Sequence, residues 1–319
     1  MKKILIIGGG AMGSAFTIPC LDNKNSVTIT EPYSKRFMKD LSSKNKFHSA
    51  LKINLPAKLK FKKFSNDLFN EKFDLIVIAL SLSGIDFIGK KLKNLKIKSP
   101  ILVLTKGLKN KKKKKKIWTI SEQLNKNFNL SNISVLKGPC LAKELVRKNQ
   151  TSVVIASRNI KIAKSIGKLI STRYYLPEYS KDILGVEVCS AIKNIYSMII
   201  GAGQSLNSSS NLFQKSILEM KYLIKYFKGK DETILGLAGV GDLYVSAAGG
   251  RNSKMGSYLG KGFTFKSAKK KFMPKDTIEG EQLAKEIAPF ILRKINKKNI
   301  PLMIYLLKAI LNNKKLKIN

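Results

Sequence analysis

Lys3-Ile4-Leu5-Ile6-Ile7-Gly8-Gly9-Gly10-Ala11-Met12-Gly13 decides the fold of this chain. The apolar run Ile4–Ile7, of the kind buried on both faces of a parallel sheet, runs into Gly-x-Gly-x-x-Gly, and Ser14-Ala15-Phe16 opens a helix straight after it. Glycine lets a pyrophosphate approach the backbone closely, and helix N-terminal N–H groups favour negative charge. The motif names a ligand class, dinucleotides, with Gly8, Gly10, Ala11, Met12 and Gly13 as the expected cofactor contacts.

Outward from this turn, the first half alternates strands and helices. A helix is expected over Ser14–Leu21, with Pro19 expected to shorten or kink it. Strands are expected at Val27–Thr30, Asp74–Leu80, Pro100–Thr105, Ile133–Leu136 and Thr151–Ala156. Such alternation reads as a doubly wound, Rossmann-type α/β domain, whose ligands lie beyond the carboxyl ends of the strands. Gly8, Glu31, Ser81, Lys106 and Gly138 all stand at those ends. From about Asp182 the texture becomes helical, with stretches at Val186–Leu206, Asn211–Lys228, Glu279–Lys294 and Pro301–Leu311. The expected domains are therefore 1–180, dinucleotide-binding, and 181–319, all-α and carrying substrate binding and catalysis. The segment Tyr174–Tyr179 is expected to mark the boundary.

Composition narrows the setting. The chain has 319 residues, 44% of them hydrophobic, and no uninterrupted apolar run of membrane-spanning length. Cys20, Cys140 and Cys189 are far apart and odd in number, which fits a reducing cytoplasm better than a disulfide framework. The net charge of +41 resembles a nucleic-acid signature, yet it rests almost entirely on lysine spread along the chain. Lys, Asn and Ile together reflect an AT-rich coding bias. The run Lys111–Lys116 reads as a solvated loop or helix start. Nucleic acid and anionic membrane are the partners that charge alone would suggest.

Three features bear on chemistry. Glu31, 18 residues beyond Gly13, is where an acidic residue accepts from an adenosine ribose and repels a 2′-phosphate, which favours NAD over NADP. Lys35 and Arg36 lie just beyond it and could accommodate that phosphate. The one histidine, His48, stands in a polar early segment and reads as structural or exposed, so carbonyl reduction would need another proton donor. Lys193-Asn194 interrupts a helix of small and apolar residues, an expensive place for a charge without a purpose. Finally, glycines surround Asp242 in Gly239-Val240-Gly241-Asp242 and precede Arg251-Asn252, which suggests close backbone approach and a small anionic ligand.

Taken in order, the glycine turn, Thr105-Lys106-Gly107-Leu108, Gly138-Pro139-Cys140-Leu141-Ala142-Lys143-Glu144, Ala191-Ile192-Lys193-Asn194, Gly239-Val240-Gly241-Asp242-Leu243, Arg251-Asn252 and Ile278-Glu279-Gly280 resemble the NAD(P)-dependent glycerol-3-phosphate dehydrogenases along nearly the whole chain. The resemblance implies reversible reduction of dihydroxyacetone phosphate to sn-glycerol 3-phosphate, the backbone precursor of phospholipids. It implies Lys193 as proton donor and acceptor, with Asn194 and Asp242 orienting it and Lys106 touching both substrate and cofactor. It implies Arg251 and Asn252 on the substrate phosphate, Gly138 and Ala142 lining the ligands, and Glu279 and Arg251 on the cofactor side. The sequence departs from the family pattern at Cys140, Ser246 and Gly250. A homodimer is compatible with the long apolar helices. The competing readings are a lysine-dependent reductase of a keto acid, of the ketopantoate type, and a non-catalytic basic binding protein.

Overall fold

The computed structural model describes the chain except residues 94, 96, 112–114, 129–131 and 319, and the side chain of residue 127. It divides into two compact units, Met1–Lys106 with Ile120–Ile183, and Gly107–Thr119 with Leu184–Asn319.

The first unit is built on an eight-stranded sheet. Its strands are β1 (Lys3–Ile7), β2 (Ser26–Thr30), β5 (Lys60–Phe61), β6 (Leu75–Ile78), β7 (Ile101–Val103), β10 (Ile133–Lys137), β11 (Thr151–Ser157) and β12 (Tyr175–Ser180), in the spatial order β12-β11-β10-β7-β6-β1-β2-β5. Every pairing is parallel except β10 with β11. The chain leaves β1 toward β2 and β5, then returns to its other side at β6. The order therefore reverses beside β1, and a ligand belongs at that strand's carboxyl end. Ile4 through Ile7 are fully buried, with Ile4 aligned to Val27 on one side and to Leu75 on the other. Apolar β-branched residues on both faces are what a sheet covered by helices demands. Those helices are α1 (Ala11–Asp22), α3 (Gly84–Lys93), α4 (Ile120–Phe128), α5 (Ala142–Leu145) and α6 (Ile160–Ile170). The short α2 (Lys35–Ser42) and the β3–β4 hairpin (Phe47–His48, Ile53–Asn54) follow β2.

One sequence expectation changes here. Pro19 does not end α1, which continues to Asp22, with Asn23 N–H bonded to the Pro19 carbonyl. Proline forfeits one backbone bond, and the buried residues Phe16, Ile18 and Cys20 around it keep the helix together. Tyr175–Ser180, lying before the expected boundary near 180, is the edge strand β12, parallel to β11. Its Pro177 is tolerated because an edge strand has a side with no ladder to serve.

The second unit is helical: α7 (Ile183–Gly201, from Leu184), α8 (Leu206–Tyr226), α9 (Asp242–Ala247), α10 (Arg251–Gly260), α11 (Phe265–Phe272), α12 (Glu279–Lys294) and α13 (Pro301–Leu311). It also takes in the antiparallel hairpin of β8 (Leu108–Lys111) and β9 (Lys116–Thr119), whose Asn110 N–H donates to Glu286 on α12 at 2.8 Å. Lys111 and Lys116 thus end strands, with the Lys111 ammonium 5.2 Å from the Trp118 ring centre, while Lys112–Lys114 lie outside the described residues. Helix α7 is long and apolar enough to cross a membrane, but it is almost wholly buried as a core helix. Its close neighbour is α10. A Cβ on Gly256 would stand 1.9 Å from the Met198 carbonyl oxygen, and one on Gly201 would stand 2.2 Å from that of Ser253. The small residues of α7 and α10 are what let these two backbones touch.

Candidate active site

In the first unit the glycine turn is closed by contacts no other residue permits. Gly8 has φ +121°, its N–H donates to Thr30 O at 2.8 Å, and a Cβ there would meet the Ala79 carbonyl oxygen at 2.5 Å. A Cβ on Gly13 would lie 2.0 Å from the Gly8 carbonyl oxygen. Gly10 differs: its nearest neighbour to an added Cβ is Phe37, 3.9 Å away. The protein does not fill the space beside Gly10, and Gly10 caps α1 with no side chain over the first helical N–H groups. A dinucleotide pyrophosphate fits this open cradle. Ala11 and Met12, half-buried, form the first turn of α1.

Glu31 is 5% exposed, and its carboxylate is committed to the backbone. One oxygen accepts from Gly9 N–H at 2.6 Å, and the other from Tyr33 and Ser34 N–H at 2.8 and 3.0 Å. Lys106 is half-buried after β7, between Thr105, whose hydroxyl donates to Leu80 O, and Gly107 at φ +141°. Gly138, at φ +117°, ends the neighbouring strand β10, and the half-buried Ala142 starts α5. Between these ends lies a residue that motif reading passed over. Lys137 is 2% exposed and donates to the carbonyls of Val103, Leu104 and Thr105, at 3.2, 3.2 and 2.6 Å. It braces the backbone that leads into Lys106. The signal for it was a lysine closing an otherwise apolar strand. Burial pushes the Cys20 thiol and the Tyr175 hydroxyl upward, so both stay protonated and neither suits a nucleophile's role.

In the second unit Lys193 lies on α7 with its side chain 8% exposed. Its ammonium is 2.8 Å from Asp242 Oδ1 and also donates to Ser246 Oγ. Asp242 reaches it because the preceding turn Leu237–Gly241 packs tightly: a Cβ on Gly239 would stand 2.0 Å from the Ile234 carbonyl oxygen. The glycine run read from sequence as a ligand-approach site is thus used, at Gly239, to pack backbone on backbone and aim α9. Next to Lys193, Asn194 accepts from Asn252 Nδ2 at 3.1 Å and donates to Glu279 Oε2 at 3.3 Å. Asn252 Oδ1 accepts from Gly280 N–H at 2.9 Å, and Arg251 reaches Glu279 Oε1 at 3.3 Å. A Cβ on Gly280 would stand 2.6 Å from Asn194 O, so glycine there sets the approach of α12 to α7. Arg251 and Glu279 are about half exposed, whereas Asn252 is buried among Asn194 and Gly280. One turn beyond Lys193, Tyr196 donates to Glu219, which also accepts from Leu302 and Met303 N–H and so caps α13. Burial raises the Glu219 carboxyl above the usual range. Among the described residues no cluster of His, Cys, Asp and Glu is arranged to hold a metal.

A buried lysine held by a carboxylate can deliver a proton to a carbonyl oxygen, and a glycine cradle at a helix start can hold a dinucleotide. Comparison with known proteins identifies the family. The family profile described as NAD-dependent glycerol-3-phosphate dehydrogenase N-terminus matches residues 3–163, and that described as the C-terminus matches residues 182–318. The chain is 32% identical over 276 residues, 84% of this chain and 82% of the relative, to glycerol-3-phosphate dehydrogenase (NAD(P)+) of Clostridium botulinum. It is 28% identical, over 83% of its length and 82% of the relative's, to the NADP(+)-dependent glycerol-3-phosphate dehydrogenase of Archaeoglobus fulgidus. Its fold superposes with TM-score 0.84 on the glycerol-3-phosphate dehydrogenase of Coxiella burnetii, at 23% identity over 98% of this chain and 96% of that one. The chain belongs to the NAD-dependent glycerol-3-phosphate dehydrogenase family.

Proposed function

We propose that the chain catalyses the reversible NAD(P)H-dependent reduction of dihydroxyacetone phosphate to sn-glycerol 3-phosphate. The observation that carries this reading is the buried Lys193–Asp242 pair, with Ser246 on the same ammonium and Asn194 beside it. When bound, a reduced dinucleotide would supply the hydride for the carbonyl carbon. Lys193 delivers a proton from Nζ to the carbonyl oxygen, so ketone, hydride and proton together balance to the secondary alcohol. Asp242 keeps the ammonium aimed and charged before transfer, and bulk water restores its proton afterwards. In the reverse direction neutral Lys193 takes the proton from the alcohol. Arg251 offers a planar, permanently charged fork to the substrate phosphate, and Asn252 lends its remaining amide hydrogen. Lys106 holds substrate and cofactor together, Gly138 and Ala142 line them, and Glu279 serves the cofactor side while tethering Arg251. Gly8, Gly10, Ala11, Met12 and Gly13 cradle the pyrophosphate.

The dinucleotide is NAD or NADP. Glu31 near the turn disfavours a 2′-phosphate, which favours NAD. The reading extends to a cytoplasmic enzyme, a setting that three cysteines without a disulfide suit, whose product would feed glycerophospholipid synthesis, and it is compatible with a homodimer. Purified protein mixed with dihydroxyacetone phosphate and NADH, and separately NADPH, tests the reaction through loss of nicotinamide absorbance. No turnover with either refutes it, and a Lys193→Ala enzyme with full activity refutes the role of Lys193.

A further inference from the structure

His48, the chain's one histidine, is fully buried in the first unit, and the reaction above does not use it. Its Nε2 lies 2.9 Å from the Gly9 carbonyl oxygen, and its Nδ1 lies 3.2 Å from Leu51 N. A backbone N–H can only donate, so Nδ1 accepts. The neutral ring therefore carries its hydrogen on Nε2 and donates it to Gly9. The same residue is held from its other end, because Gly9 N–H donates to Glu31. Ser14 Oγ adds a second bond to the Gly9 carbonyl, at 3.0 Å. Phe37 of α2 stacks on the imidazole, with ring centres 5.1 Å apart and planes 20° apart. Leu41 of α2 closes on Gly9, where an added Cβ would meet it at 2.6 Å. Helix α2 and the β3–β4 hairpin thus form a brace behind the glycine turn.

We propose that His48 is a positioning residue for the dinucleotide. In a trans peptide the C=O and N–H point in opposite directions. Pinning the Gly9 carbonyl to buried His48 therefore turns Gly10 N–H away from the interior, toward the side where Gly10 meets open space. His48 holds the anion-facing side of the turn in place before any ligand arrives, and so lowers the ordering cost of binding. This rests on the reading that the turn takes a nicotinamide dinucleotide.

Two variants test it. His48→Leu keeps apolar bulk and loses both ring hydrogen bonds, whereas His48→Gln retains an amide that can donate to Gly9. Hydrogen exchange of a peptide covering residues 8–14, measured without cofactor, should quicken in His48→Leu and return toward the wild-type rate in His48→Gln. NADH titrated by its own fluorescence should bind His48→Leu at least tenfold more weakly and His48→Gln within threefold of wild type. KM for dihydroxyacetone phosphate should stay unchanged in both. Unaltered exchange in His48→Leu overturns the clamp. Unaltered NADH affinity, or a KM for dihydroxyacetone phosphate that rises in step, overturns its role in dinucleotide binding. Wild-type protein that fails to bind either nicotinamide dinucleotide sinks the functional reading instead, and the exchange experiment still decides the clamp.

Discussion

Removing the charge of Asp242 should cost far more than removing the ion pair altogether. Lys193 and Asp242 have side chains 8% and 3% exposed, with 2.8 Å between the charged atoms. Asp242→Asn leaves the Lys193 ammonium in place without its counter-ion, and breaking one side of such a buried pair costs about 3–5 kcal/mol. That is a large share of the roughly 5–15 kcal/mol that holds a native protein together. Lys193→Met leaves the mirror problem, a buried carboxylate. The double variant buries no net charge, and exchanging a whole buried pair for uncharged groups is often neutral or stabilising. If the two sites were independent, their losses would sum to about 6–10 kcal/mol. The double variant should instead lose no more than either single variant. Trp118, the one tryptophan, is 3% exposed in the hairpin of the second unit, so its fluorescence follows unfolding of the unit that holds the pair. Urea titrations with an unchanged slope would read stability directly. Additive losses would refute the reasoning, because they would mean that the two groups do not compensate each other's burial. In turnover, Asp242→Asn should lower kcat by about 10²–10⁴-fold, the usual size of a general acid–base contribution.

Other outcomes follow from the same contacts. Gly280→Ala would place a Cβ 2.6 Å from the Asn194 carbonyl oxygen. Overpacking of this kind costs about 1–3 kcal/mol, and kcat should fall with it, since Asn194 adjoins Lys193; unaltered urea stability would count against the α7–α12 contact. Glu31→Ala removes an acceptor from three backbone N–H groups. NADH should bind more weakly, and NADPH should lose less, because the group that repels a 2′-phosphate goes with the acceptor; unaltered NADH affinity would refute the contact. The raised Glu219 carboxyl has a pH signature. Its folded form binds protons more tightly than the unfolded chain, so its contribution is complete below the unfolded carboxyl range and is lost as pH rises through the folded value. Comparing wild type with Glu219→Gln by urea titration across mildly acidic pH should show the wild type losing ground as pH rises; parallel curves would refute the assignment. Arg251→Ala should raise KM for dihydroxyacetone phosphate at least tenfold while leaving NADH binding within a few-fold, and an unchanged KM would remove Arg251 from the phosphate.

Local order was legible wherever one residue type answers a backbone demand. Ile4–Ile7 leading into Gly8 and Gly13 specified strand, turn and helix, because a buried parallel strand needs apolar residues on both faces and a Cβ would collide at those glycines. The reading of Lys193 likewise rested on one fact, a charge in an apolar helix, which composition alone makes costly. Other features depended on partners far away in the chain. His48 reads as an ordinary polar-segment histidine until folding carries its ring 39 residues back to the Gly9 carbonyl. Glu31 reads as a ribose acceptor, and only folding shows that its oxygens also hold three backbone N–H groups. Lys137 becomes a brace only because β7 lies beside β10. The β8–β9 hairpin joins the helical unit through its contact with α12, a pairing across 176 residues that no local pattern encodes. Fold class, ligand class and the charged residue of the helical unit are thus written in the chain locally, since steric and desolvation penalties act residue by residue. Which polar groups hold the backbone in place emerges only on folding, because a hydrogen bond needs both its partners in position.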